Sequence, residues 1–132
     1  AVGLAVELCC GYTSAEEIAQ NAQRIFLAVK PQMMAGMLQP LQPYLLEKKP
    51  TLITMAAGLT MAQIRDMAGC DLPVIRIMPN TPVAVGQGLT LFCANELVEP
   101  EELEDFLQDI TDWIYHSCHH HRCMMRVIRQ RL

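Results

Sequence analysis

The sequence predicts an α/β fold built on a mainly parallel sheet with flanking helices. Three short apolar runs, Arg24 to Val29, Thr51 to Met55 and Val74 to Met78, read as strands. Continuous apolar strands of this kind are what a sheet buried on both faces uses. The segments between them carry helix-start chemistry, at Ser14-Ala15-Glu16-Glu17, at Lys30-Pro31 and at Thr60 with Gln63. Strand and helix in alternation is the pattern of βαβ units.

Taken in order, Ala1 to Leu8 reads as the end of a helix, stopped at Cys10-Gly11. Ser14 with Glu17 forms a capping box that opens a helix to about Ala22. The strand Arg24 to Val29 follows, expected to be buried on both faces. Pro31 suits the first turn of the next helix, which reads through Met33, Met34, Met37 and Leu38. Pro40 and Pro43 predict a break before Tyr44 to Lys48. After the strand Thr51 to Met55, Ala56-Ala57-Gly58 is a small-residue exit, and Thr60 caps a helix to Met67, closed by Gly69. Gly88 to Ala94 supplies a further strand. Pro100-Glu101-Glu102 opens a last helix with acidic residues where the dipole favours them. Leu103, Phe106, Leu107, Ile110, Trp113 and Ile114 fall on one face of it.

Composition narrows the function classes. At 132 residues the chain can bury one core, and with 52% hydrophobic and 18% charged residues it should fold. A net charge of −4 argues against nucleic-acid binding, which needs a basic face. No apolar run approaches the roughly 20 residues that span a bilayer, so no membrane partner is expected. Ala1 to Leu8 lacks a basic flank and is not read as a signal peptide. There is no initiator methionine, and the chain is expected to begin in mid-domain. The six cysteines form no CxxC pair. Free thiols of a reducing compartment, the cytoplasm, are the expectation.

The most informative stretch is Val74 to Gly88, Val-Ile-Arg-Ile-Met-Pro-Asn-Thr-Pro-Val-Ala-Val-Gly-Gln-Gly. Pro79 and Pro82 bracket Asn80-Thr81, and proline stiffens both itself and the residue before it. A stiff polar loop at the C-terminal end of a strand is where open α/β sheets bind ligands. The alternative is a proline-rich connection with no further duty.

Its wording, Arg-Ile-Met-Pro-Asn-Thr-Pro then Val-Gly-Gln-Gly, closely resembles the signature of the pyrroline-5-carboxylate reductases. Two more segments resemble the same family in the same order, Phe26-Leu27-Ala28-Val29-Lys30-Pro31-Gln32 and Ile53-Thr54-Met55-Ala56-Ala57-Gly58. The resemblance runs from about Cys10 to Leu107. It implies a Rossmann-like domain, NADP or NAD as cofactor, and reduction of the cyclic imine 1-pyrroline-5-carboxylate to L-proline by hydride transfer to the C=N carbon. It also implies a homo-oligomer. Residues matching Ala28, Val29, Lys30 and Pro31, and those matching Met55, Ala56 and Ala57, line the cofactor site in such enzymes. The loop matching Asn80 and Thr81 lies beside the nicotinamide and is the substrate-binding candidate. Read without the resemblance, the small residues at 56–58 would be small because a helix packs on the strand exit. No catalytic acid is assigned.

Two features depart from the family pattern. No G-x-G-x-x-G turn, which cradles a pyrophosphate, occurs in the sequence, nor does the residue that reads the ribose beyond it. The helical domain that forms the dimer has no counterpart either. Ala15 stands where the family tends to carry a polar residue. The expectation is therefore a partial NAD(P)-binding domain over 1–114 and an atypical tail over 115–132, rich in His, Cys and Arg. That tail reads as an altered end. His116, Cys118, His119, His120, His121 and Cys123 lack two clean ligand pairs, and no metal site is assigned. Arg122, Arg126, Arg129 and Arg131 read as a solvated end. The rival function is a catalytically inactive fragment with a binding role or none. A second enzyme reading, a related imine or β-hydroxyacid dehydrogenase, is disfavoured by Met78 to Pro82.

Overall fold

The structure, a computed structural model of the chain, describes residues 2–7, 9–79, 89–117 and 126–129, without the side chains of 2, 4, 89, 112–117 and 126–129. Helix α1 spans Val2–Glu7, α2 Ala15–Asn21 and β1 Arg24–Leu27. A 3₁₀ turn at Pro31–Met33 leads into α3, Met34–Leu38, and a second at Gln39–Leu41 into α4, Gln42–Lys48. Then come β2 Thr51–Thr54, α5 Met61–Ala68, β3 Val74–Pro79, β4 Leu89–Ala94, α6 Pro100–Ser117 and β5 Arg126–Arg129.

The local chemistry explains most of these boundaries. Ser14 caps α2, its Oγ accepting from the Glu17 amide at 3.2 Å. The box is only half closed, because the Glu17 carboxylate accepts from the Thr13 hydroxyl. At Thr60 both halves form: Oγ1 accepts from the Gln63 amide at 3.1 Å, and Gln63 Oε1 accepts from the Thr60 amide at 2.8 Å. Gly69 ends α5 at φ +72°, a conformation that suits glycine. Pro40 and Pro43 do not break the chain as expected. Each sits in the first turn of its element, where a missing N–H costs no hydrogen bond, so the path tightens to 3₁₀ and resumes as α4.

The sheet order is β1-β2-β3-β4-β5. β1, β2 and β3 are mutually parallel, β4 runs antiparallel to β3, and β5 parallel to β4. Chain length decides this. A parallel return needs a crossover of about a dozen residues or more. The nine residues 80–88 between β3 and β4 are too few, whereas α6 gives β5 the required length. α6 thus continues past Ile114 to Ser117, and Arg126–Arg129 pairs with Leu89–Phe92.

Helices cover the two faces unequally. On one face Ala19, Met34, Leu38, Leu41, Leu45, Ile64 and Ala68 of α2 to α5, with the intervening 3₁₀ turn, pack on Leu27, Leu52 and Val74. On the other, Phe106 of α6 packs on Ile53, Ile75, Ile77 and Phe92, with Leu103, Leu107 and Ile110 beside it. Each leucine, isoleucine, valine, methionine or phenylalanine so buried contributes about 1.5–3 kcal/mol. β2 is buried along its whole length, as expected of a central strand. β1 is not: Phe26 remains 51% exposed, because β1 ends the sheet among the described residues.

Candidate functional site

The parallel register sets the site. Leu27 pairs with Thr54, so β1 and β2 end level and their exits, 28–31 and 55–57, emerge side by side at the carboxyl edge of the sheet. Thr54 pairs with Arg76, and β3 runs on to Pro79, so the third exit begins farther out. Neighbouring strand ends of an open α/β sheet form the crevice where ligands bind.

At the β1 exit, Ala28 and Lys30 are exposed, while Val29 and Pro31 are half-buried and Val29 packs on the core. The Lys30 carbonyl accepts from the Met33 amide at 2.9 Å, closing the 3₁₀ turn that Pro31 opens. The expected strand-to-helix junction is thus a three-residue turn and a five-residue helix. So short a stack of peptide dipoles gives a weak positive end. Ala28 and Lys30 are the exposed side chains at this exit.

At the β2 exit, Met55 is 39% exposed, Ala56 is buried and Ala57 is exposed. Thr54, itself buried, folds the exit back: its Oγ1 accepts from the Ala56 amide at 3.2 Å. Gly58 then turns at φ +79° with open space around its Cα. The exit therefore turns back locally and carries alanine side chains that let another group approach the backbone. Thr54 was missed in the sequence as anything but a strand residue. The signal lay in a hydroxyl two residues before Ala56, the spacing of a local side-chain-to-backbone turn.

The exits of β1 and β2 thus come together, and seven of the candidates, Ala28, Val29, Lys30, Pro31, Met55, Ala56 and Ala57, lie on them. Asn80 and Thr81 lie outside the described residues, as do Cys118 to Cys123, Arg122 and Arg131. No group of metal-ligating side chains occurs among the described residues.

The opposite, amino-terminal edge holds the other polar features. A groove of about 610 Å³ lies there, lined by Asn21, Arg24, Lys48, Lys49, Glu99 and Glu102 among others. In it the Thr51 hydroxyl donates to Glu102. It lies at the wrong end of the strands for the cofactor expected of such a sheet. The shifted titrating groups sit at that edge too. Burial and then Asp71 push the Cys70 thiol up. The Glu96 carboxylate is held down by its own backbone amide and then by Arg65, whose Nη1 donates to it at 3.0 Å.

The chain is 43% identical over 94 residues to the pyrroline-5-carboxylate reductase of Escherichia coli, covering 71% of this chain and 35% of that one. It therefore spans about a third of the length of the curated relatives it matches. Among solved structures, a pyrroline-5-carboxylate reductase from Coxiella burnetii superposes with a TM-score of 0.74 at 27% identity, over 97% of this chain and 44% of that chain. The pyrroline carboxylate reductase of Plasmodium falciparum with NADP bound gives 0.67 at 30% identity, over 90% and 42%. No protein-family model matches the sequence. The resemblance read in the motifs holds in sequence and in fold. No helix among the described residues is long and apolar enough to cross a membrane.

Proposed function

We propose that the level exits of β1 and β2 form one wall of a dinucleotide site. On this proposal the chain serves in the NADPH- or NADH-dependent reduction of 1-pyrroline-5-carboxylate to L-proline, in the cytoplasm. The observation that carries it is the register of Leu27 with Thr54, which sets Ala28 to Pro31 beside Met55 to Ala57. These two segments lie within sequence motifs resembling the reductases, and the carboxyl edge is where such sheets take ligands.

The residues fit a nicotinamide nucleotide on three counts. Ala28 and Ala57 are small and exposed, so ribose oxygens could reach the backbone. Met55 offers an adaptable thioether against an aromatic ring. Lys30 is exposed and cationic, suited to a phosphate. When bound, the reduced nicotinamide supplies the hydride, and the chain's own residues bind and orient. Thr54 holds the Ala56 amide and so fixes the turn of the β2 exit. Asn80 and Thr81 follow β3, the next strand along, and are proposed to meet the imine.

The test is proline formation from 1-pyrroline-5-carboxylate with NADPH or NADH, by wild type and by Thr81→Ala. Turnover that falls in the variant supports the proposal, and no turnover by wild type contradicts it. The rival reading is a non-catalytic binding fragment. Cofactor binding without turnover would favour that rival.

A further inference from the structure

Cys9 and Cys10 are consecutive and both are exposed, whereas Cys70 and Cys93 are half-buried and well separated in sequence. The backbone holds the exposed pair in place at the end of α1. The Cys9 amide donates to the Val6 carbonyl at 3.2 Å, and the Cys10 amide to the Ala5 carbonyl at 3.0 Å. These are the two hydrogen bonds of a Schellman ending, with Cys9 in its left-handed position at φ +51°. Glycine ordinarily takes that position, having no Cβ to crowd the following carbonyl. Here the glycine comes two residues later, at Gly11, with open space around it.

Successive side chains diverge by about 100° along a helix and by about 180° along a strand. The left-handed step at Cys9 follows neither period, so neither drives the two thiols apart. A direct bond between the sulfurs still fits poorly. Consecutive Cα atoms lie about 3.8 Å apart across a trans peptide. That is short of the roughly 4.4–6.8 Å that ordinary disulfides span. An acceptor atom bonded to both sulfurs spans a wider gap and leaves the backbone as it is. A tetrahedral metal ion would ask for four donors, and among the described residues no group of three His, Cys, Asp or Glu includes this pair. What two neighbouring thiols satisfy by themselves is a soft centre with two open valences. Trivalent arsenic that carries one organic group is such a centre.

We propose that Cys9 and Cys10 together form a dithiol site for monosubstituted trivalent arsenicals, each sulfur making one bond to arsenic. In the reaction two S–H and two As–OH bonds break, two As–S bonds form and two waters leave. Arsenic stays trivalent, and nothing is oxidised or reduced. The second As–S bond closes within one molecule, so its effective thiol concentration far exceeds that of a free thiol. The site rests on the exposed pair and its turn, not on the proposed function.

The experiment treats the whole reduced chain with phenylarsonous acid, formed from phenylarsine oxide in water, and reads the adduct by intact-mass spectrometry. Wild type should carry one phenylarsenic group that survives excess monothiol and is released by a 1,2-dithiol. Cys9→Ser and Cys10→Ser each leave a single thiol of the pair. Each should lower the monothiol concentration that strips the adduct by about a hundredfold. Both changes fall on exposed side chains, so melting curves should stay equal to wild type. Cys118 and Cys123 lie outside the described residues, and the double variant Cys118→Ser, Cys123→Ser should keep the adduct. Wild type that retains no adduct overturns the proposal. So does an adduct that resists monothiol equally well in Cys9→Ser, or one that disappears in the tail variant.

Discussion

Leu27 and Thr54 stand opposite each other in the parallel pairing of β1 with β2, and each is the last residue of its strand. Both are buried, so the two exits leave a common, rigid line. The Thr54 hydroxyl folds the β2 exit back from that line.

Thr54→Val keeps the volume of the side chain and deletes the acceptor for the Ala56 amide. Leaving a buried donor unpaired costs about 1–3 kcal/mol. The variant should melt earlier by a corresponding amount in urea, and any NADPH affinity should fall with it. Unchanged stability would mean that the Ala56 amide finds another partner.

Asn95→Ala should be the more damaging change, at about 2–4 kcal/mol by chemical denaturation, because it strands two buried backbone groups. Asn95 Oδ1 accepts from the Val74 amide at 3.0 Å and Nδ2 donates to the Leu72 carbonyl at 2.8 Å. Asn95→Asp keeps the acceptor but loses the donor to Leu72, and should fall between Ala and wild type.

Gly69→Ala meets two obstacles. The left-handed conformation costs a non-glycine residue about 1–2 kcal/mol. A Cβ there would also lie 2.8 Å from the Gln42 amide group, which donates to the Met67 carbonyl at 3.1 Å. That side chain can swing aside only by giving up its hydrogen bond, so destabilisation at or above the backbone figure is expected in thermal melts.

Acid should loosen the β3–β4 end of the sheet through Glu96. Its folded pKa lies below the ordinary carboxylate value, held there first by its backbone amide and then by Arg65. The stability this gives is present above the ordinary value and is lost as pH falls through the folded one. Arg65→Ala should therefore flatten the fall in urea midpoint between about pH 6 and about pH 3, while leaving some of it, since the backbone contribution stays. An unchanged slope would show that Arg65 plays no part.

Much of this was legible in the sequence, for identifiable reasons. The Thr60–Gln63 box, the Gly69 stop and the buried β2 follow from short-range chemistry, and each appears where its residues placed it. The exposure of Phe26 was not legible, because an apolar run looks the same whether a neighbouring strand covers its edge or not. The 3₁₀ passage at Gln39–Leu41 was read as a break, since proline signals an interruption without saying whether the chain stops or tightens. Asn95 was not singled out in the sequence, because only the meeting of β3 with β4 makes it a bridge over 21 and 23 positions of sequence. At the candidate site, motifs named the residues of two exits, and the register that joins them came from the fold.

The most direct test of the central claim is NADPH binding to the purified chain by nicotinamide fluorescence, with Ala57→Glu beside it. Ala57 is exposed, so the substitution should spare the fold while setting a negative charge against a polyanionic cofactor. The account predicts saturable binding by wild type and a loss of affinity of about tenfold or more in the variant, with equal melting curves. Wild type that fails to bind up to millimolar NADPH, or a variant that binds equally well, would contradict it.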